Sequence, residues 1–374
     1  MKICMLTSGH HPTDNRIFHR EAKSLAGMGY DVVVVAPSEG DMKDAVEEGG
    51  VQIVPVRPFR RGWVRRLGIL WDLLRKGFTL RAHVYHCHEP ESLWVGVLIK
   101  ALRGARAIYD VHEHWPSLIA DHFRAPLRRG AFVLVEILER FASRRADGLF
   151  AVSGALGTWY NRKPVEVLYN CPPLRLFSPL RKGPPGRLVV YEGGISPDRG
   201  LLVFLEALRQ VRARIPDVRF QVVGDLKGGE DREWVEEFVR RHGLEPHFEL
   251  TGWLPYSEVP GRLMEADIGV ILFQPLLYNN LIGVPNKLFE YMAAALPVVA
   301  PHFPEMGRIV HEVGCGVLVN PTDPEAVAHA IVRLLSHPEE AQRMGKQGRR
   351  AVEERYCWER MEEKLARVYD SVTL

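Results

Sequence analysis

Short apolar runs, many of them β-branched, recur along the whole chain. In the first half they cover residues 3–6, 32–36, 51–56, 84–88, 107–111, 149–152 and 165–169. Several are apolar at consecutive rather than alternate positions, as expected of parallel strands covered by helices on both faces. Stretches with a helical period lie between most of them. Residues 16–28, for example, place Ile17, Ala22 and Leu25 on one face. The pattern predicts an open α/β sheet. Residues 178–187, SPLRKGPPGR, then break it with proline, glycine and basic side chains, the composition of a domain boundary. The alternation restarts at 188–191, 218–223, 248–251, 268–273, 298–300 and 317–319, and from Pro324 onward the chain reads as helix. The expected organisation is a domain over 1–180, a linker over 181–187, a second domain over 188–355, and a terminal helical segment, 356–374, packing back toward the first.

Composition narrows the classes. The chain has 374 residues, 46% apolar and 25% charged, and a formal charge of only +3. That suits a globular protein of two or three domains and gives no global basic surface for nucleic acid. The five cysteines, at 4, 87, 171, 315 and 357, include no C-x-x-C pair, so they are expected as buried reduced thiols. No apolar run approaches the ~18 residues of a spanning helix. The opening MKICML reads as a first strand rather than a signal peptide, and a cytoplasmic protein is expected.

One segment changes that picture locally. Residues 57–81 carry eight basic side chains against Asp72, with Trp63, Leu67, Leu70, Trp71 and Leu74 near helical spacing. This is the profile of an interfacial helix. Arg60, Arg61, Arg65 and Arg66 would meet an anionic membrane surface, and Trp63 and Trp71 the headgroup level. A basic helix packed on its own sheet gives the same pattern.

Open α/β sheets bind ligands at the carboxyl ends of their strands. After the first strand stand Gly9, His10, His11, Asp14 and Arg16; after the 84–88 strand, His88 and Glu89; after 107–111, His112 and Glu113. Gly9 allows close backbone approach. The histidines suit a polar cleft for sugar hydroxyls. A metal site at His86 and His88, or histidines satisfied internally, would use the same residues. The second domain opens with a strand running into Gly193-Gly194, followed by Arg199. Glycines, a helix N-terminus and a guanidinium make a diphosphate cradle, although neither the dinucleotide fingerprint nor a P-loop is present. In 284–299, VPNKLFEYMAAALPVV, Pro285 and Asn286 start a helix near Lys287. Lys287 suits phosphate, and Glu290 suits vicinal hydroxyls such as those of a ribose.

These segments are similar to those of the bacterial glycosyltransferase family 4. The resemblance rests on HPTDNRIFHREAKSLAGMGYDV, HCHEPESL, YDVHE, GGISPDRGL, VVGD, ELTGWLP, EADIGVI and PNKLFEYMAAALPVV, and runs nearly end to end. It implies the GT-B fold, two Rossmann-like domains whose parallel sheets face a central cleft. It also implies retaining transfer from a UDP- or GDP-sugar without a metal or other cofactor. The acceptor would be a glycan or lipid-linked, as in exopolysaccharide or O-antigen synthesis. By motif position, Arg199 and Lys287 would face the diphosphate, Glu290 the ribose, and the backbone of Thr251, Gly252 and Leu254 the base. Asn286 and Leu288 would flank them, His112 would lie near the reacting carbon, and Gly9 beside the donor phosphates. Two positions depart from the family pattern: Ile282 replaces a frequent acid, and Gly194 a frequent arginine. A sugar-nucleotide epimerase and a non-catalytic scaffold for a polysaccharide synthase are the rival readings.

Overall fold

The computed structural model describes all residues except 39–44, 57–62, 161–163, 181–185, 228–231 and 374, with backbone alone at 63, 64 and 373. The chain divides into two compact units, Met1–Tyr169 with Met361–Leu374, and Asn170–Arg360. The division falls at Tyr169/Asn170, before the composition break. The second unit extends beyond residue 355.

The first unit holds strands β1 (Lys2–Leu6), β2 (Asp31–Pro37), β3 (Val46–Glu48), β4 (Val51–Val56), β5 (Val84–Cys87), β6 (Arg106–Val111), β7 (Gly148–Ala151) and β8 (Glu166–Val167). Their order is β3-β4-β2-β1-β5-β6-β7-β8, parallel apart from β3, which pairs antiparallel with β4. All four residues of β5 and of β7 are buried, as double-sided coverage requires. The helices are α1 (Lys23–Gly27), α2 (Trp63–Leu80), α3 (Pro90–Arg103), α4 (Trp115–Ala120), α5 (Leu127–Ser143) and α6 (Gly154–Thr158). The terminal helix supplies Tyr369, fully buried beside Tyr30, and Glu362, which accepts from the Ser24 hydroxyl at 2.5 Å.

The segment expected as one helix over 16–28 is two pieces. A wide π-turn over Ile17–Ala22 precedes α1, with the His19 amide bonded to the Asp14 carbonyl and the Glu21 amide to that of Arg16. Such i→i+5 turns occur at functional sites. Here the turn brings Arg16 and Glu21 onto the same inward face, where both are buried.

The second unit holds β9 (Leu188–Glu192), β10 (Arg219–Val223), β11 (Phe248–Leu250), β12 (Ile268–Val270), β13 (Val298–Pro301) and β14 (Gly316–Val319), ordered β11-β10-β9-β12-β13-β14. All its pairings are parallel. Its helices are α7 (Leu201–Arg212), α8 (Arg232–Arg241), α9 (Val259–Glu265), α10 (Tyr278–Ile282), α11 (Asn286–Ala293), α12 (Pro304–Val313), α13 (Pro324–Ser336) and α14 (Pro338–Glu354); α15 (Trp358–Thr373) closes the chain. The core packs Val189, Tyr191, Phe204, Leu208, Phe220 and Ile331.

Each sheet reverses its strand order once, between β1 and β5 and between β9 and β12. The crevice outside the carboxyl ends at such a reversal is the ligand position of open α/β sheets. The turn at 7–9 and Glu89 follow β1 and β5. Gly193-Gly194 and Phe273 follow β9 and β12.

Candidate active site

In the second unit, the end of β9 carries Glu192, Gly193 and Gly194. Gly193 has φ of +89°, the left-handed region that a side chain disfavours. A Cβ built on Gly194 would stand 3.1 Å from the Trp253 ring. The indole thus lies against Gly194, and a larger side chain there would have to displace it. Arg199 ends a short 3-10 turn, Pro197–Arg199, and lies before α7 rather than inside it. Its Nη1 donates to the Gly194 carbonyl at 3.2 Å.

Helix α11 begins at Asn286. Pro285 precedes it and provides no side-chain cap; the Leu288 amide donates to the Pro285 carbonyl at 3.1 Å, and the helix start favours an anion at the amides before it. Lys287 and Leu288 lie in its buried first turn. The Lys287 Nζ sits 3.7 Å from the Tyr191 ring centroid and 5.4 Å from that of Phe273. The Arg199 guanidinium is 5.7 Å from the same Phe273 ring, so the two cations converge. Lys287 Nζ is buried without a hydrogen-bond partner among the described residues. Burial pulls its pKa from 10.5 down to about 7, against the charges of Glu192 and Glu290. Glu290 is 1% exposed. Its Oε1 accepts from the Tyr256 hydroxyl at 2.7 Å, while Oε2 has no partner among the described residues. Glu192 is pushed up to about 8 by burial, then by the charge of Glu290. A buried amine without a hydrogen-bond partner is rare in a folded protein and makes the end of β9 a candidate anion site. Thr251 Oγ1 accepts from the Gly224 amide and donates to the Gly252 carbonyl. With φ of +73° at Gly252, this shapes the turn that leads to Trp253 and Leu254.

In the first unit, Glu89 caps α3 and accepts from the Thr7 hydroxyl at 2.5 Å and the Ser8 and Gly9 amides at 2.9 and 3.3 Å. It fixes the turn around Gly9. Asp14 accepts from the Arg16 and Ile17 amides. Together with the charge of Glu89 it holds His10 above its ordinary pKa despite burial. Arg16 grips both Asp110 oxygens, Nε to Oδ2 at 2.8 Å and Nη2 to Oδ1 at 2.9 Å, and lies 2.8 Å from Glu21 Oε1. Burial opposes ionisation of Asp110, but Arg16, His112 and His88 hold its pKa well below the carboxylate range. Burial and the Asp110 charge push Glu21 well above it. His112 Nε2 is 2.9 Å from Asp110 Oδ2 and 3.3 Å from His88 Nδ1. Bound to a carboxylate, that nitrogen carries the hydrogen, and Nδ1 is left as an acceptor.

Glu21, His86, His88 and Asp110 each bring one ligand atom within 4.8 Å of the others. The Arg16 guanidinium lies against both carboxylates of this group and balances the Asp110 charge, while the Nε2 atoms of His86 and His88 have no hydrogen-bond partner among the described residues. Of the acceptor-side candidates, His11 and Glu113 are exposed, whereas Arg16, His88 and Glu89 are bound inside the unit.

Residues 186–337 match the family model described as glycosyl transferases group 1, and residues 15–175 that of glycosyltransferase family 4. The phosphatidyl-myo-inositol mannosyltransferase of Mycolicibacterium smegmatis is 29% identical over 94% of this chain and 88% of its own length. The MMP α-(1→4)-mannosyltransferase of Mycolicibacterium hassiacum is 27% identical over 76% of this chain and 69% of its own. Sucrose-phosphate synthase of Thermosynechococcus elongatus superposes with a TM-score of 0.79 at 19% identity, covering 100% of this chain and 98% of that one. HepE of Anabaena in complex with UDP gives 0.76 at 17%, covering 99% and 100%. The chain is a GT-B glycosyltransferase.

The glycosyltransferase also contains features that its motifs did not single out. Glu192 is a charged residue ending a strand before two glycines, a position that the strand-end rule could have flagged. Asp110 lies inside the quoted YDVHE, and Trp253 inside ELTGWLP. Away from the strand ends, Glu139 on α5 accepts from the Tyr109 and Tyr160 hydroxyls, each at 2.6 Å. Burial pushes its pKa from 4.5 up to about 7. A carboxyl that holds its proton better folded than unfolded contributes most below its unfolded pKa, and the contribution is lost as pH rises through the folded one. Stability is therefore expected to fall by ~2–3 kcal/mol between pH 4.5 and 8 through this group. Glu139→Gln should flatten that dependence in urea titrations. An equal fall in the variant would assign it elsewhere.

Proposed function

We propose that the protein is a retaining, metal-independent glycosyltransferase using a UDP- or GDP-sugar, with a glycan or lipid-linked acceptor in cell-surface polysaccharide synthesis. The observation that carries the reading is the buried, unpartnered Lys287 amine. It lies beside an uncapped helix start, a glycine turn and Arg199. Two cations and a helix start suit a diphosphate and stabilise the charge it gains on leaving. The likeness to HepE in complex with UDP supports that donor class, and the similarity to a phosphatidyl-myo-inositol mannosyltransferase supports a lipid acceptor.

In the proposed reaction the acceptor oxygen attacks the anomeric carbon on the face from which the diphosphate departs. The bond from that carbon to the phosphate oxygen breaks, and the departing phosphate oxygen takes the acceptor proton. Nucleoside diphosphate leaves, and the anomeric configuration is kept. Transfer assays over UDP- and GDP-sugars in excess EDTA, with product stereochemistry read by NMR, test the proposal. An inverted product or a required divalent ion would overturn those parts of it.

If Glu290 holds the ribose hydroxyls, Glu290→Ala should weaken donor binding by ~1.5–3 kcal/mol, the range for hydrogen bonds to a charged group. Calorimetric titration with the nucleoside diphosphate reads this, and unchanged affinity would remove the assignment.

The protein is placed on the cytoplasmic face of a membrane through residues 57–81. Arg60 and Arg61 lie outside the described residues, as does the side chain of Trp63. Arg66 and Trp71 on α2 are exposed, and Arg65 is half-buried. Among the described residues no helix is long and apolar enough to cross a membrane.

A further inference from the structure

Helix α5 is built inside out. Its inward face carries Glu139, Ala142 and Ser143, all buried. Phe132 packs inward against His114 and Trp159, but large apolar side chains face away: Leu134 is 58% exposed and Ile137 60%, with Leu138 and Phe141 also exposed. The 3–4 spacing of these positions makes one stripe. A helix on a water-facing surface shows the opposite arrangement, with apolar residues toward the core.

The stripe continues onto the next helix. α3 packs between α2 and α5. Trp94 of α3 stacks on Phe141 at 5.7 Å, and Leu98 and Leu102 of α3 are exposed. On the far side of α3, Arg103 lies over Phe78 of α2, 3.7 Å from the ring centroid. The exposed apolar side chains of α3 and α5 thus meet through Trp94 and Phe141, and apolar patches of this kind mark interaction surfaces.

The charges around the stripe have one dominant sign. Residues 124–145 contain Arg124, Arg128, Arg129, Arg140, Arg144 and Arg145, against Glu136 and the buried Glu139. Glu136 is already paired with Arg140 at 3.1 Å. The Arg145 guanidinium lies 3.5 Å from the centroid of the Phe141 ring. An apolar stripe edged by arginines matches a bilayer interface, where acyl chains take the apolar side chains and anionic headgroups the guanidinium groups. A second copy of this chain would bring like charges together.

We propose that the α3–α5 face of the first unit lies against an anionic lipid bilayer, with α2 at its edge. The inference rests on the reading of the first unit as the part that meets a membrane, and it moves the principal contact from α2 to α5. Co-sedimentation of the full chain with vesicles of one part phosphatidylglycerol to two parts phosphatidylcholine tests it, with phosphatidylcholine vesicles beside them. The wild type should sediment with the anionic vesicles alone, and less as salt rises. Leu134→Glu with Ile137→Glu should weaken that binding at least about tenfold, since both side chains enter the acyl boundary. A urea-unfolding transition of the double variant that matches the wild type would show that the first unit folds.

Unchanged vesicle binding by this double variant overturns the inference. If Arg65→Ser with Arg66→Ser then abolishes binding, the α2 reading stands alone. Absence of wild-type binding overturns both. A wild-type dimer in sedimentation velocity that the α5 variant dissolves, without vesicle binding, assigns the face to a second copy and also overturns the inference. Glycosyl transfer to a soluble acceptor is read separately, so loss of the membrane contact is distinguishable from loss of the catalytic reading.

Discussion

Lys287→Met is expected to lower the turnover number by about 10²–10³-fold, the loss typical when one preorganised donor to a developing negative charge is removed. The amine faces Tyr191 and Phe273 at the end of β9 and has no partner among the described residues. Its stabilisation is therefore available when the diphosphate gains charge. Turnover should fall more than the Michaelis constant for the donor rises, because the interaction strengthens in the transition state. Full turnover with weaker binding alone would mean that Lys287 only holds the ground state.

The same substitution should stabilise the fold by ~1–3 kcal/mol, because an apolar side chain replaces a buried, unpaired amine. Donor binding should also depend on pH. Burial holds the Lys287 pKa at about 7, and a bound diphosphate would raise it. Affinity should then fall as pH rises above 7, with proton uptake on binding. Calorimetry of nucleoside diphosphate in buffers of different ionisation enthalpy would register that uptake, and Lys287→Met should abolish it.

Much of the fold is legible because buried parallel strands leave continuous apolar runs. Among the described residues, thirteen of the fourteen strands lie under these apolar runs. The missing one, β3, is three exposed residues, VEE, with no periodicity to detect. The π-turn at Ile17–Ala22 was read as ordinary helix, since apolar spacing does not separate i→i+5 from i→i+4 bonding over one turn. Within the candidate site, Arg199, Lys287 and Glu290 were accessible because glycine turns and helix starts have local signatures. The partnership of Arg16 with Asp110 spans 94 positions and has no local signature. Arg16, His88 and Glu89 stood out as polar residues after strands, but their side chains are turned inward to hold the turns and His112. The outward apolar face of α5 was also hidden, because a helical period gives spacing without direction.

The Arg16 cluster gives the sharpest test of how this unit handles buried charge. Arg16 is 5% exposed and lies against Asp110 and Glu21. Asp110 is the ionised partner, and its charge helps keep Glu21 protonated. Glu21→Gln replaces a neutral acid with a neutral amide and should cost less than ~1 kcal/mol. Asp110→Asn removes both the ion partner and the charge that suppresses Glu21. Glu21 should then ionise and become the counter-ion, limiting the loss to ~1–2 kcal/mol. In the double variant the buried guanidinium loses both carboxyls it lies against, and the loss should reach ~3–5 kcal/mol, as when a buried pair loses one member. The combined loss should therefore exceed the sum of the single losses. Urea unfolding of the four proteins at neutral pH measures this. Additivity within ~0.5 kcal/mol, the behaviour of independent sites, would show that the two carboxyls do not share Arg16. His112 reports the same cluster from its other side. Its Nε2 donates to Asp110 Oδ2 at 2.9 Å, so Asp110→Asn weakens the bond that sets its tautomer. Nitrogen-15 shifts of the ring should move in Asp110→Asn and stay in place in Glu21→Gln.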